Sequence, residues 1–305
     1  MQRVLPSDEI ASSVAQAVPR LRLPDRAIFS RRAERLGQLA ADHALSDYLR
    51  LMQTVALAQH ALLAEIPTPA VGADAIARSA EYRMPILPAT GHREHEWHTA
   101  LVRLCDQLAR QPGVPAGVVA LLDTLRHAPA AQLDTQADAL LTARIEQVDI
   151  ALAPFIMAAL QVCWTGMAGA LDVASVPQLD IPGVCPVCGS LPVASVVRAG
   201  KPYDGFRYLH CALCATEWHK VRAKCSHCDA TEGIAYRFIE GGDAYVRAET
   251  CEQCHTYCKI LYQENDQHVE AVADDLASIA LDLLVGEAGY RRANPNPFLW
   301  QGGGD

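Results

Sequence analysis

Aromatic side chains are scarce, at 6% of the 305 residues, and positive charge is outweighed by negative. The 26 Lys and Arg against 35 Asp and Glu leave a net charge of −9, which argues against a molecule that binds nucleic acid through an overall basic surface. Residues 1–20 carry Asp8, Glu9 and Pro19 and no uninterrupted apolar core, so no secretory leader is expected. A reducing cytoplasm is therefore the expected setting, where paired cysteines bind metal in preference to forming disulfides. Long hydrophobic runs are missing as well. Residues 150–171 are free of charge, but Pro154, Gln161, Thr165, Gly166 and Gly169 interrupt them, so they read as a buried helix without stable membrane insertion. There is no Gly-rich phosphate loop, nucleophile elbow or Ser/His/Asp constellation, which argues against a self-contained enzyme.

What the chain does have is cysteine in a pattern. Eight of its eleven cysteines form four Cys-x-x-Cys pairs. Cys185/Cys188 and Cys211/Cys214 stand 22 residues apart, Cys225/Cys228 and Cys251/Cys254 stand 22 apart again, and the second set repeats the first at an offset of 40. Two residues between cysteines let both sulfurs of one turn face a single ion, and two such turns complete a tetrahedron. The spacing predicts two tandem metal-thiolate modules, although the 22-residue gap lies slightly beyond the usual zinc-ribbon range. Pairing within each repeat is favoured over a cross-braced arrangement, because duplicating a finished four-ligand unit needs no rewiring. Four thiolates suit zinc and equally a single rubredoxin-like iron. Cys185-Pro186-Val187-Cys188-Gly189 is a good knuckle for either metal, and the other three pairs lack both the Pro and the Gly.

Residues 1–176 read as an all-helical domain. Helices are expected over 26–41, from Ser46 as N-cap to about 66, over 73–82, 93–110 and 116–127, and over 131–171 as two helices or one kinked at Pro154. A linker with Pro177 and Pro182 follows at 177–183. Strand alternation at Val193, Ser195 and Val197, and the run Ile234 to Phe238, predict a hairpin in each of two modules, 184–224 and 225–264. The final segment, 265–305, holds a helix over 272–289 with Asp274 and Asp275 in its first turn. Its Leu276, Ile279, Ala280, Leu283 and Leu284 form a stripe expected to dock on the helical domain, ahead of an apolar tail at 294–300. The fold class is mainly α within α+β: a helical domain, two rubredoxin-like or zinc-ribbon-like knuckle modules, and a C-terminal helix.

Three further features need weighing. The bridge between modules holds Trp218, His219, Lys220, Arg222 and Lys224, the densest basic patch in the chain, and reads either as a solvated strand or as a contact for an acidic partner. Cys105 and Cys163 lie in helical patterns and read as buried hydrophobes, while Cys258 aligns with Trp218 one repeat earlier and reads as packing before spare ligand. His92, His95 and His98, with Glu94 and Glu96, read as solvated surface before metal site.

The run Arg207-Tyr208-Leu209-His210-Cys211, then Thr216-Glu217-Trp218-His219-Lys220-Val221-Arg222 and Lys224-Cys225-Ser226-His227-Cys228, closely resembles the formate dehydrogenase accessory proteins of the FdhE type. So do Ala248-Glu249-Thr250-Cys251, Ala273-Asp274-Asp275-Leu276, Gly289-Tyr290-Arg291 and Asn296-Pro297-Phe298-Leu299. The resemblance spans about 120 residues, from Cys185 to the end. It implies a cytoplasmic accessory factor that contacts the formate dehydrogenase catalytic subunit during maturation, before export. It also implies rubredoxin-like iron, with zinc as the alternative metal, on Cys185, Cys188, Cys211, Cys214, Cys225, Cys228, Cys251 and Cys254, and no catalytic residue. Two other classes compete with it: an electron-transfer or thiol-redox protein using the tetrathiolate iron, and a zinc-ribbon nucleic-acid adaptor, against which the acidic balance weighs.

Overall fold

The computed structural model describes residues 18–91, 97–181 and 183–300. After a two-residue strand at Leu21–Arg22, seven α-helices come next among the described residues: α1 (Ile28–Leu39), α2 (Ser46–Glu65), α3 (Ala73–Tyr82), α4 (Trp97–Ala109), α5 (Ala116–His127), α6 (Ala130–Leu141) and α7 (Ala153–Gly169). The chain breaks where backbone chemistry asks for it. Pro115 precedes α5, Arg83 in the left-handed region (φ 49°) closes α3, and Pro154 sits in the first turn of α7, where its missing N–H costs nothing. The 131–171 pattern is thus two helices. Ser46 does not cap α2 as expected. Leu45 holds the cap position, and the Ser46 hydroxyl donates back to Ala40 O at 2.8 Å.

α7 explains the charge-free stretch. Fifteen of its residues are buried, so it is apolar on every side because α2, α4 and α6 surround it. Among the described residues no helix is long and apolar enough to cross a membrane.

The cysteine region forms one sheet from strands β2 (Pro192–Val197), β3 (Arg207–Cys211), β4 (Glu217–His219), β5 (Ile234–Arg237), β6 (Val246–Cys251) and β7 (Thr256–Tyr262). Both expected hairpins are present, β2–β3 and β5–β6, and each continues into a third antiparallel strand, β4 and β7. The modules then join head to tail: β2 of the first pairs in parallel with β7 of the second, Ser195 opposite Ile260. A two-residue strand β1 (Leu21–Arg22) covers the outer edge of β4, and β8 (Arg291–Arg292) pairs with the start of β7, while β5 ends the sheet. The two repeats therefore share one continuous sheet.

The C-terminal helix departs from expectation. It is broken at Ser278 into α8 (Ala271–Ala277) and α9 (Ile279–Glu287). The buried ammonium of Lys259, on β7, donates to Asp275 O at 2.7 Å and Ser278 O at 3.1 Å, so a cation holds the carbonyls that end α8. The break turns the stripe. Leu276, Leu281 and Val285 are buried, whereas Leu283 and Leu284 are 59% and 51% exposed and Ala280 is exposed, so the expected docking through those leucines is corrected. The tail does dock. Phe298 is fully buried, its carbonyl accepts from the Tyr48 hydroxyl, and Asn296 donates to Val272 O at 2.9 Å.

Helices and sheet are joined by buried charge. On α1, Arg32 pairs with Glu270 at 3.0 Å, and Arg35 pairs with Asp274 at 2.6 Å and Asp266 at 2.7 Å. Asp275 pairs with Arg292 and accepts from Asn296 at 2.7 Å, and Lys259 reaches Asp282 at 2.6 Å. Glu270 also caps α8, accepting from Val272 N and Ala273 N, while Asp274 accepts from Glu270 N. Asp274 and Asp275 do sit at the head of the helix, but what they do there is tie three segments together. Such pairs add little net stability over apolar packing, yet losing one partner strands a charge. Arg35→Met should therefore cost about 3–5 kcal/mol in denaturant unfolding by leaving Asp274 unpaired. Leu283→Asp, at an exposed site, should stay within about 0.5 kcal/mol of the parent.

Candidate metal centres

Each Cys-x-x-Cys pair sits on a tight turn with the same backbone signature. The residue after the second cysteine lies in the left-handed region in all four: Gly189 (φ 81°), Ala215 (φ 56°), Asp229 (φ 62°) and His255 (φ 52°). Only the first is glycine, which is why sequence singled out one knuckle of the four. At Gly189 a Cβ would also stand 3.1 Å from Pro85 Cγ. The turns are closed by Gly189 N to Cys185 O at 2.8 Å, Cys211 N to Thr216 O at 2.9 Å, Cys225 N to Ala230 O at 2.8 Å and His255 N to Cys251 O at 2.9 Å. Backbone N–H groups in two of them also face sulfur, at 3.4 Å for Cys214 N to Cys211 Sγ, 3.3 Å for His227 N to Cys225 Sγ and 3.5 Å for Cys228 N to Cys225 Sγ. The Thr216 and Thr256 hydroxyls lie 3.2 and 3.0 Å from Cys214 and Cys254 Sγ.

The hairpins bring the knuckles together within each repeat. Cys185, Cys188, Cys211 and Cys214 form one group and Cys225, Cys228, Cys251 and Cys254 the other, with all four sulfurs of each group within 4.8 Å of one another. Across the knuckles the contacts are 3.5 Å (Cys185–Cys214) and 3.3 Å (Cys188–Cys211) in the first group, and 3.8 Å (Cys225–Cys254) and 3.7 Å (Cys228–Cys251) in the second. A tetrahedron with metal–sulfur bonds of about 2.3 Å has edges of about 3.8 Å. The second group has that spacing and the first is slightly contracted. Burial pushes the Cys185 and Cys211 thiols up. Each group could hold a metal ion, and sulfur-only donors suit zinc or iron.

The remaining cysteines stay apart from both groups. Burial pushes Cys105 and Cys163 up to about 12 and Cys258 up to about 11, which leaves them inert packing thiols. His92, His95, Glu94 and Glu96 lie outside the described residues, as does Pro182 of the linker. His98 sits 3.2 Å from Asp134.

The basic bridge proves largely neutralised. Lys220 and Lys224 both pair with Asp229, at 2.5 and 2.8 Å, and Trp218 and Lys220 are buried. The acidic partner expected for this patch is in good part the chain's own Asp229, a knuckle residue.

Near the knuckles, one in each module, two buried carboxylates went unnoticed in the sequence. Glu217 gathers Arg22, Arg198 and the Nδ1 of His210, and Glu249 gathers Arg207 and accepts from Ser226 N at 3.0 Å. Glu217, one residue before Trp218 on a short strand, looks solvent-facing, and the 40-residue offset sets Tyr257 against Glu217 and Leu209 against Glu249, so no repeat signal marks either carboxylate. Burial alone would raise Glu217, but Arg198, His210 and Arg22 hold it well below the usual carboxylate range. A depressed folded value stabilises the protein above the unfolded value near 4.5, and that contribution is lost as pH falls through the folded one. Thermal stability should therefore decline as pH drops below about 4.5, with a shallower decline and a lower neutral-pH midpoint in Glu217→Gln.

Comparison with known proteins follows this geometry along the whole chain. Three family models match in succession: FdhE, N-terminal, over residues 18–180; FdhE, central domain, over 184–222; and FdhE, C-terminal domain, over 223–299. The chain is 41% identical over 308 residues to the FdhE homolog of Serratia proteamaculans, covering 98% of this chain and 99% of that protein. It is 40% identical over 312 residues to FdhE of Escherichia coli, covering 99% of each. The crystal structure of the FdhE protein from Pseudomonas aeruginosa superposes with a TM-score of 0.85 at 41% identity, over 93% of this chain and 100% of that one. With relatedness of that extent carried through helices, knuckles and tail alike, this chain belongs to the FdhE family.

Proposed function

We propose that this protein is a cytoplasmic accessory factor for formate dehydrogenase, acting on the catalytic subunit during maturation and before export. Full-length membership of the FdhE family is the observation that carries this reading. In it the protein is a metalloprotein of the chaperone kind, without a catalytic residue of its own. Cys185, Cys188, Cys211 and Cys214 hold one metal ion and Cys225, Cys228, Cys251 and Cys254 a second, with rubredoxin-like iron the first choice and zinc the alternative. Bound iron would supply one-electron chemistry, and zinc would supply only a staple. The sulfur spacing of both groups supports tetrathiolate binding of either ion.

Metal binding here is folding free energy, because each module is small and its knuckles rely on the ion for their geometry. The ionic junction at Arg32 and Arg35 then holds the modules against the helices as one surface for the client. A second reading, electron transfer through the tetrathiolate metal, is favoured by the exposure of Cys228 in the second group.

Two measurements test these readings. Full-length protein purified anaerobically should carry two metal ions per chain, with Cys188→Ser and Cys228→Ser each lowering the count to one. In co-purification with the formate dehydrogenase catalytic subunit, both variants should capture less client, and formate oxidation should fail in cells lacking the native factor. Full client capture alongside lost formate oxidation would overturn the docking role in favour of redox, and absence of capture by the parent protein would overturn both.

A further inference from the structure

The two cysteine groups are equivalent in sequence and unequal in the fold. The first lies within the hydrophobic core, with none of its four cysteines more than 2% exposed. The helical region clamps both of its knuckles. Leu87 N donates to Val187 O at 2.8 Å, Ala89 N donates to Cys188 O at 3.0 Å, and Gln161 on α7 donates to Ala212 O at 2.7 Å. Trp164 in turn pins the clamp by donating to Leu87 O at 3.1 Å. A ligand can reach this group only after helices and knuckles part.

The second group lies at the open end. Head-to-tail joining of the modules buries β2 against β7 but leaves the equivalent strand β5 as the last in the sheet, with Ala235, Tyr236 and Arg237 exposed. Cys225 and Cys251 are buried, Cys228 is exposed and Cys254 is partly exposed. The knuckle residues around them, His227, Glu252, Gln253 and His255, are exposed too. A donor arriving from solvent meets Cys228 first, and no helix has to move.

Resting on the reading above that both groups hold metal, we propose that the second is a ligand-exchange site. Its metal passes to or from an incoming soft donor of the thiolate class, while the first keeps its metal as part of the core. Cys228 is the ligand that leaves. An incoming thiolate forms the fourth metal–sulfur bond as the bond to Cys228 breaks, and the freed Cys228 thiolate takes a proton from water. No electron is transferred. Further donor thiolates would replace Cys254 next and the buried Cys225 and Cys251 last, one for one, each freed cysteine taking a proton from water. The arrangement gives the protein one fixed ion that shapes its surface and one that can bond to a cysteine of a partner.

The test uses the full chain loaded with two equivalents of zinc and challenged anaerobically with excess glutathione together with the chromogenic chelator 4-(2-pyridylazo)resorcinol. One equivalent should leave at least about tenfold faster than the other, because a group reached only by local unfolding exchanges far less often than one at the surface. Pulsed iodoacetamide labelling read by mass spectrometry should mark Cys228 and then Cys254 in the fast phase, and leave Cys185, Cys188, Cys211 and Cys214 unmarked. Cys228→Ser should retain the slow equivalent and lack the fast one. Release of both equivalents at one rate, or earlier labelling of the first group, would overturn the assignment while leaving metal binding intact. A chain that takes up no zinc would overturn the metal reading itself, and the exchange site with it.

Discussion

Four sulfurs brought within 4.8 Å of one another cannot all carry charge unless a cation lies among them, and this chain meets that constraint twice. The rest of the cysteine region follows from it. Strands of three to seven residues are too short to bury a core of their own, so each module depends on its knuckles to bring the strand ends together. The cost appears in the backbone, where Ala215, Asp229 and His255 occupy a region that favours glycine. Strain of that kind persists where surrounding structure over-determines it, and a metal tetrahedron is one way to do so.

The two modules are then used differently. Joined in tandem, they could have hung from the helices as two independent beads. The parallel pairing of Ser195 with Ile260 and the buried cluster of Arg32, Arg35, Glu270 and Asp274 make helices, sheet and C-terminal segment a single body. Glu270 shows the economy of the junction, since one carboxylate both caps α8 and receives Arg32 from α1. Within that body the first group is interior and the second lies at the rim. A duplicated unit has acquired an inside copy and an outside copy, which is the asymmetry a protein needs if one metal is to shape a surface and the other to meet a partner.

Much of this was legible in the sequence where local chemistry decides. α3 and α5 fall on the residues expected, because Gly72 and Pro115 mark their starts. The 40-residue offset favoured pairing within each repeat over a cross-braced arrangement, and the structure groups the sulfurs in that way. What escaped was set by distant contacts. Nothing near Ser278 foretells a helix break that depends on Lys259 arriving from β7. Arg32 and Arg35 look like the solvated face of an amphipathic helix until their partners come in from more than 230 residues away. The unequal exposure of two groups with the same spacing is likewise a property of their surroundings, absent from either motif.

X-ray absorption at the metal edge, on full-length protein purified anaerobically and assayed for metal content, bears most directly on the account. Two tetrathiolate sites require two ions per chain and an average shell of four sulfurs at about 2.3 Å, with no nitrogen or oxygen scatterer. One ion per chain, or a shell containing light-atom ligands, would contradict it.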